Sequence, residues 1–118
     1  IVLSNGKNVA PALVENLVKE SHLVSHAYVH GDGHSYCVAL ISINAAESAN
    51  LTKEEVYEQV AAAIAKANER LSNSEQIKRF EILEQDFAAE TEVTPTMKLK
   101  RNAVAANHRD RLEKLYEN

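Results

Sequence analysis

Tyr36-Cys37-Val38-Ala39-Leu40-Ile41-Ser42-Ile43 is a nearly continuous apolar run, short enough for a strand and bounded upstream by two glycines. An apolar run without alternation suits a strand covered on both faces, so the rest of the chain has to supply its neighbours and two covering layers. Immediately before it, Ala27 and Val29 alternate with His26, Tyr28 and His30, the period of a strand with one apolar face. Gly31-Asp32-Gly33 turns the chain between the two, which makes them a hairpin with Tyr36–Ile43 as the central strand.

Upstream of the hairpin, Pro11 suits the first turn of a helix, and Leu13, Val14, Leu17 and Val18 share one face as far as Ser21. Glu15 falls on the opposite face and reads as a solvated carboxylate. Ile1 to Leu3 reads as a short strand followed by the turn Ser4–Asn8, in which Gly6 can take a positive φ or admit a ligand to the backbone. Downstream, Asn44 to Leu51 reads as a polar connection, and Thr52-Lys53-Glu54-Glu55 matches a capping box. Val56, Val60, Ala63, Ile64, Ala67 and Leu71 then form the apolar stripe of a long helix that Ser72-Asn73-Ser74 ends. Ile77 to Leu83 alternates as a third strand with Lys78 and Arg79 at the surface, and Val104, Leu112 and Leu115 give a final helix its buried side. The predicted architecture is a single α+β domain across residues 1–118, a hairpin plus short strands packed with about three helices.

Composition narrows the function. With 118 residues and 45% hydrophobic residues the chain supports one core. A net charge of -4, 5% aromatics and no Trp argue against a nucleic-acid partner. Cys37 is the only cysteine, which excludes an internal disulfide and a cysteine zinc cluster and points to a reducing compartment. No apolar run approaches the roughly 18 residues of a membrane span, so a cytoplasmic location is the expectation. His22, His26, His30 and His34 raise the question of a metal, but their spacing across a strand and a turn does not bring ligands to one point, so they are assigned as exposed hairpin histidines and no metal site is expected. The chain starts at Ile1 in what reads as the middle of an element, as a fragment of a longer protein would.

The basic stretch Val93-Thr94-Pro95-Thr96-Met97-Lys98-Leu99-Lys100-Arg101 holds the candidate chemistry. Pro95 fixes its own φ, biases Thr94 away from helix, and the two threonines stiffen the approach, so Lys98 sits on a constrained tip able to meet one anionic ligand. No nucleophile–base pair, Gly-rich phosphate cradle or metal cluster accompanies it, and on residue pattern alone a stand-alone binding module with a basic loop fits as well as an enzyme part.

Taken in order, Ser4-Asn5-Gly6-Lys7-Asn8-Val9-Ala10-Pro11 with Glu15-Asn16, Gly31-Asp32-Gly33, Glu75-Gln76-Ile77-Lys78-Arg79-Phe80 and Thr94 to Arg101 resemble the small C-terminal domain of AMP-forming long-chain acyl-CoA synthetases, in the adenylate-forming superfamily. The resemblance covers nearly the whole chain. It implies a lid that follows a large N-terminal domain binding ATP, Mg2+ and the fatty acid, and that swivels between an adenylation pose and a thioester-forming pose. Lys98 matches the adenylation lysine through the pattern Lys, aliphatic, any residue, Arg, with Lys100 as the alternative. Gly6, with Lys7 and Asn8 beside it, matches the loop that faces the coenzyme A channel in the second pose. Much of the superfamily carries Gly directly before the lysine, where this chain has Met97. The implied partners are the N-terminal domain of the same polypeptide, fatty acid, ATP and CoA, and a peripheral membrane contact of the full-length enzyme would accord with a lipid substrate. The fragment alone is expected to be inactive.

Overall fold

The computed structural model describes residues 1–117. Its centre is a three-stranded sheet in the order β1 (Val24–His30), β2 (Cys37–Ile43) and β3 (Ile77–Ile82). β1 pairs antiparallel with β2 as the predicted hairpin, Val29 opposite Ala39, and β3 pairs parallel with β2, Leu40 opposite Glu81. β2 is buried from Cys37 through Ser42. Its side chains alternate between two cores, as the period of two requires. Cys37, Ala39 and Ile41 meet Val14 and Val18 of α1 (Pro11–Val18), while Val38 and Leu40 meet Phe87, Val93, Val104 and Leu112 on the other face.

α2 (Ala45–Ser48) and α3 (Lys53–Asn68) connect β2 to β3, and a helical crossover is what a parallel pair needs. α3 begins with the capping box read from the sequence: the Thr52 hydroxyl accepts from Glu55 N–H and the Glu55 carboxylate accepts from Thr52 N–H. α4 (Arg101–Asn107) and α5 (Arg109–Leu115) close the second face.

Several expectations change. Ile1 to Leu3 makes only an isolated bridge, Val2 to Asn8, because Leu3 N–H to Lys7 O (2.9 Å) and Val9 N–H to Ile1 O (2.9 Å) close the chain into a tight loop with no length left for a ladder. The connection after β2 contains α2, whose Asn44 side chain accepts from Ala46 N–H and Glu47 N–H. The final helix is two helices, broken at His108 (φ -116°, ψ 22°), so the described residues hold five α-helices where about three were predicted. β1 is covered on both faces, not one: Tyr28 and His26 are buried as well as Ala27 and Val29, because Phe87 and α4 lie over the side read as polar. At Gly31 a Cβ would lie 3.1 Å from Leu3 Cδ2 and from Cys37 Sγ, so the hairpin turn sits close against the N-terminal loop and a side chain here would push its neighbours by a few tenths of an ångström.

Candidate functional site

Lys98 stands at the end of a small hairpin of its own. Val93 bridges Leu99, Met97 N–H closes the turn Thr94-Pro95-Thr96-Met97 on Thr94 O at 2.9 Å, and Thr94 N–H donates to Lys98 O at 2.7 Å. The Thr94 hydroxyl also accepts from Lys98 N–H at 3.0 Å. Met97 lies in the left-handed region at φ 66°, the place in such a hairpin that favours glycine.

The three cations of this stretch have different fates. Arg101 donates through Nη1 to Glu15 Oε1 (3.1 Å) and Oε2 (2.8 Å) and through Nη2 to Val29 O (2.7 Å), with its guanidinium 4.7 Å over the Tyr28 ring. Lys100 Nζ donates to Glu90 O. Lys98 is exposed, and its amine has no hydrogen-bond or ion-pair partner among the described residues.

Glu15 corrects the sequence reading. It is buried at 9% exposure, accepting from Val29 N–H at 2.7 Å as well as from Arg101. The apolar face of α1 rests on the sheet, and the Arg101 side chain at the start of α4 reaches across the flank that periodicity left open to water. Burial pushes the Glu15 carboxyl above the ordinary range, against the opposing pull of Val29 N–H and Arg101.

The hairpin histidines are also not simply exposed. His26 is buried, its Nδ1 3.4 Å from Asp86 Oδ1 and its ring edge-on to Phe87, and it lines a cavity with Thr94, Pro95 and Met97. Burial opposes ionisation of Asp86, but hydrogen bonds from the Ser25 hydroxyl (2.7 Å) and Phe87 N–H (2.8 Å) with the nearby His26 hold its carboxyl below the usual range. His30 is half-buried, and burial followed by the neighbouring His34 lowers its pKa. His34 stacks on Tyr116 with ring centres 3.7 Å apart; His22 is exposed. Among the described residues no three His, Cys, Asp or Glu side chains converge as metal ligands.

Gly6, Lys7 and Asn8 form a separate exposed loop. Gly6 has φ 85° with nothing within 4 Å of an added Cβ, and Lys7 N–H donates to Asn5 Oδ1 at 3.0 Å. This loop is tied to the hairpin turn after β1 by Ser4 N–H to His34 O (2.9 Å) and Gly33 N–H to Val2 O (2.9 Å). The Lys98 loop lies instead beside His26, near the start of β1. His30 lies four residue steps along the strand from His26, a rise of about 13 Å, so the two loops address different ends of the sheet.

The family model for the AMP-binding enzyme C-terminal domain matches residues 1–118. The chain belongs to that family. Within it, the chain is 35% identical to a long-chain-fatty-acid–CoA ligase, FadD15, of Mycobacterium tuberculosis over 98% of its own length and 22% of the relative's. It is 29% identical to the long-chain-fatty-acid–CoA ligase ACSBG2 of Gallus gallus, over 98% of this chain and 20% of the relative. The chain thus spans about a fifth of the length of these relatives. Among solved structures, the A domain of a carboxylic acid reductase from Segniliparus rugosus, in complex with AMP and a co-purified carboxylic acid, superposes with a TM-score of 0.82 at 28% identity, covering 98% of this chain and 19% of that one. The adenylation domain of a carboxylate reductase from Mycobacterium chelonae shares the fold at a TM-score of 0.83 and 22% identity, covering 100% of this chain and 19% of that one. This AMP-binding enzyme C-terminal domain therefore has the predicted α+β architecture of its family, with the pairing of buried Glu15 to half-buried Arg101, Glu92 and His108 as structural features that sequence reasoning missed. Glu15 lay inside the quoted stretch Glu15-Asn16, and Glu92 beside the apolar Val93, but neither position by itself signals burial.

Proposed function

We propose that this chain is the lid of a long-chain fatty acid–CoA ligase that presents Lys98 for acyl-adenylate formation and, after rotation against an N-terminal adenylation domain, presents Gly6, Lys7 and Asn8 to the coenzyme A channel. The observation that carries this reading is that Lys98 is the cation of its loop whose amine has no partner among the described residues, while Lys100 is engaged with Glu90 O and Arg101 with Glu15. ATP, the fatty acid and CoA are the substrates of the full-length enzyme, Mg2+ enters with ATP through the N-terminal domain, and the enzyme works in the cytoplasm. The fragment alone releases no pyrophosphate from ATP and a fatty acid.

When a carboxylate attacks the α-phosphate, two anions meet and negative charge builds on the transferring group, so a cation between them stabilises the transition state. At about 4 Å and an effective dielectric near 20, one such charge pair contributes roughly 4 kcal/mol. Lysine offers a compact point charge, and the closed hairpin beneath Lys98 limits where that charge can be aimed. Glycine at position 6 keeps the second loop low, so that a thiol-bearing arm can pass close to its backbone.

The test measures both half-reactions in the full-length ligase. Lys98→Ala cuts formation of acyl-AMP by about 10²–10³, the scale for removing one electrostatic stabiliser, and leaves CoA attack on supplied acyl-AMP nearly intact. Equal slowing of both halves, or loss of adenylation in Lys100→Ala with Lys98→Ala unaffected, would overturn the assignment.

A further inference from the structure

Glu92 is a buried carboxylate, 6% exposed, under the loop that carries Lys98. Its Oε1 accepts from Ala88 N–H at 2.8 Å, and its Oε2 accepts from Asn107 Nδ2 at 3.2 Å and lies 2.9 Å from His108 Nε2. Its backbone joins in, with Glu92 N–H donating to Ala88 O (2.9 Å) and Glu92 O accepting from Lys100 N–H (2.7 Å). One residue therefore ties the start of the loop, the residue at its end and the break between α4 and α5.

The break gains a purpose from this contact. His108 leaves helical geometry at φ -116°, and there its imidazole meets Glu92 on one side and the edge of Phe87, ring centres 5.7 Å apart, on another. Burial works against the Glu92 charge, but Ala88 N–H, the Asn107 amide and His108 together hold its carboxyl below the ordinary range. A buried acceptor so fully satisfied resists distortion, because moving a donor away leaves a largely buried polar group short of a partner.

We propose that Glu92 and His108 are positioning residues for Lys98, the carboxylate holding the 88–100 segment in the shape that projects the amine and the imidazole holding the carboxylate. Neither touches substrate. The inference rests on Lys98 being the adenylation lysine, and it adds that the aim of Lys98 is set from the break between α4 and α5. A misplacement of about 1 Å can cost a reaction as much as 10²-fold, so a loosened loop affects rate well before it affects folding.

The experiment uses the full-length ligase with both half-reactions measured separately. His108→Ala removes the imidazole and slows acyl-AMP formation about tenfold, through kcat with the KM for ATP unchanged, while CoA attack on supplied acyl-AMP stays at the wild-type rate. His108→Gln, whose side-chain amide can donate to the carboxylate in place of Nε2, restores most of the loss. Glu92→Ala slows adenylation further than His108→Ala; should it fail to fold, the two His108 variants decide alone. Lys98→Ala is measured alongside. If it slows adenylation and His108→Ala does not, or if His108→Ala slows both halves equally or is not rescued by Gln, the positioning role is wrong and the Lys98 assignment stands. If Lys98→Ala leaves adenylation intact, both fall.

Discussion

Two exposed loops of this domain each turn the chain through a left-handed residue, Gly6 at φ 85° and Met97 at φ 66°, and they manage it differently. The Gly6 loop spends the one residue type that adopts this geometry without cost, and nothing packs within 4 Å of where its Cβ would be. The Met97 loop puts a bulky side chain there, 64% exposed, and relies on bracing instead: the Thr94 turn, Glu92 beneath it, and the Arg101–Glu15 pair just beyond it. Where nothing packs around the turning residue, the geometry has to come from that residue itself. A loop held from several sides can tolerate a strained residue, and can keep a lysine aimed.

The strongest way to break this contrast is to remove the far brace. Arg101→Met keeps the hydrophobic stem but leaves Glu15 buried with Val29 N–H as its remaining donor, and should cost about 3 kcal/mol in urea unfolding of the 118-residue chain. Adding Glu15→Leu should return much of that loss, because the pair then disappears instead of leaving an orphaned carboxylate. A loss under about 1 kcal/mol for Arg101→Met would place the pair with ordinary surface ion pairs and remove the bracing argument.

Gly6→Leu tests the glycine loop. With open space around the Cβ the cost is torsional, about 1–2 kcal/mol, and in the full-length ligase it should slow thioester formation from acyl-AMP and leave adenylation unchanged. Unaltered thioester formation would remove the Gly6 loop from the second half-reaction. The reciprocal change, Met97→Gly, should raise stability by up to about 1 kcal/mol, since the strain disappears while the braces remain, offset in part by the freer unfolded chain. A drop in the urea midpoint would show that the methionine side chain contributes contacts that outweigh its backbone strain.

The smallest effect is a pH dependence. Glu92, its carboxyl held below the ordinary value, releases its proton more readily in the folded chain, so its stabilisation is full above the ordinary glutamate value of 4.5 and is lost as pH falls through the folded value. Glu15, shifted the opposite way, stabilises least at neutral pH and gains as pH falls from its raised value toward 4.5. The two trends partly cancel in the wild type. Comparing wild type with Glu92→Gln isolates one of them: the stability gap should be constant between pH 7 and 5 and shrink below pH 4.5 in urea titrations. A gap that does not change with pH would mean Glu92 is not the ionised anchor.

What the sequence determined by itself were the features that short-range chemistry encodes. The unbroken apolar run Val38 to Ile41 could only be an interior strand, the Thr52–Glu55 box closes within four residues, and the turn at Gly6 is written in the glycine. The ordered motifs likewise sufficed to identify the family. Only the tertiary structure decided which polar residues lose water. Glu15 and Arg101 are 86 positions apart, Glu92 and His108 are 16 apart across a helix break, and His26 finds Asp86 60 positions on. Nothing within a few residues of Glu15 distinguishes a solvated helix carboxylate from one that a distant helix will cover. The same holds for the three cations at 98, 100 and 101: close in sequence, they differ in what the fold brings to each, and the one it leaves without a partner among the described residues is Lys98.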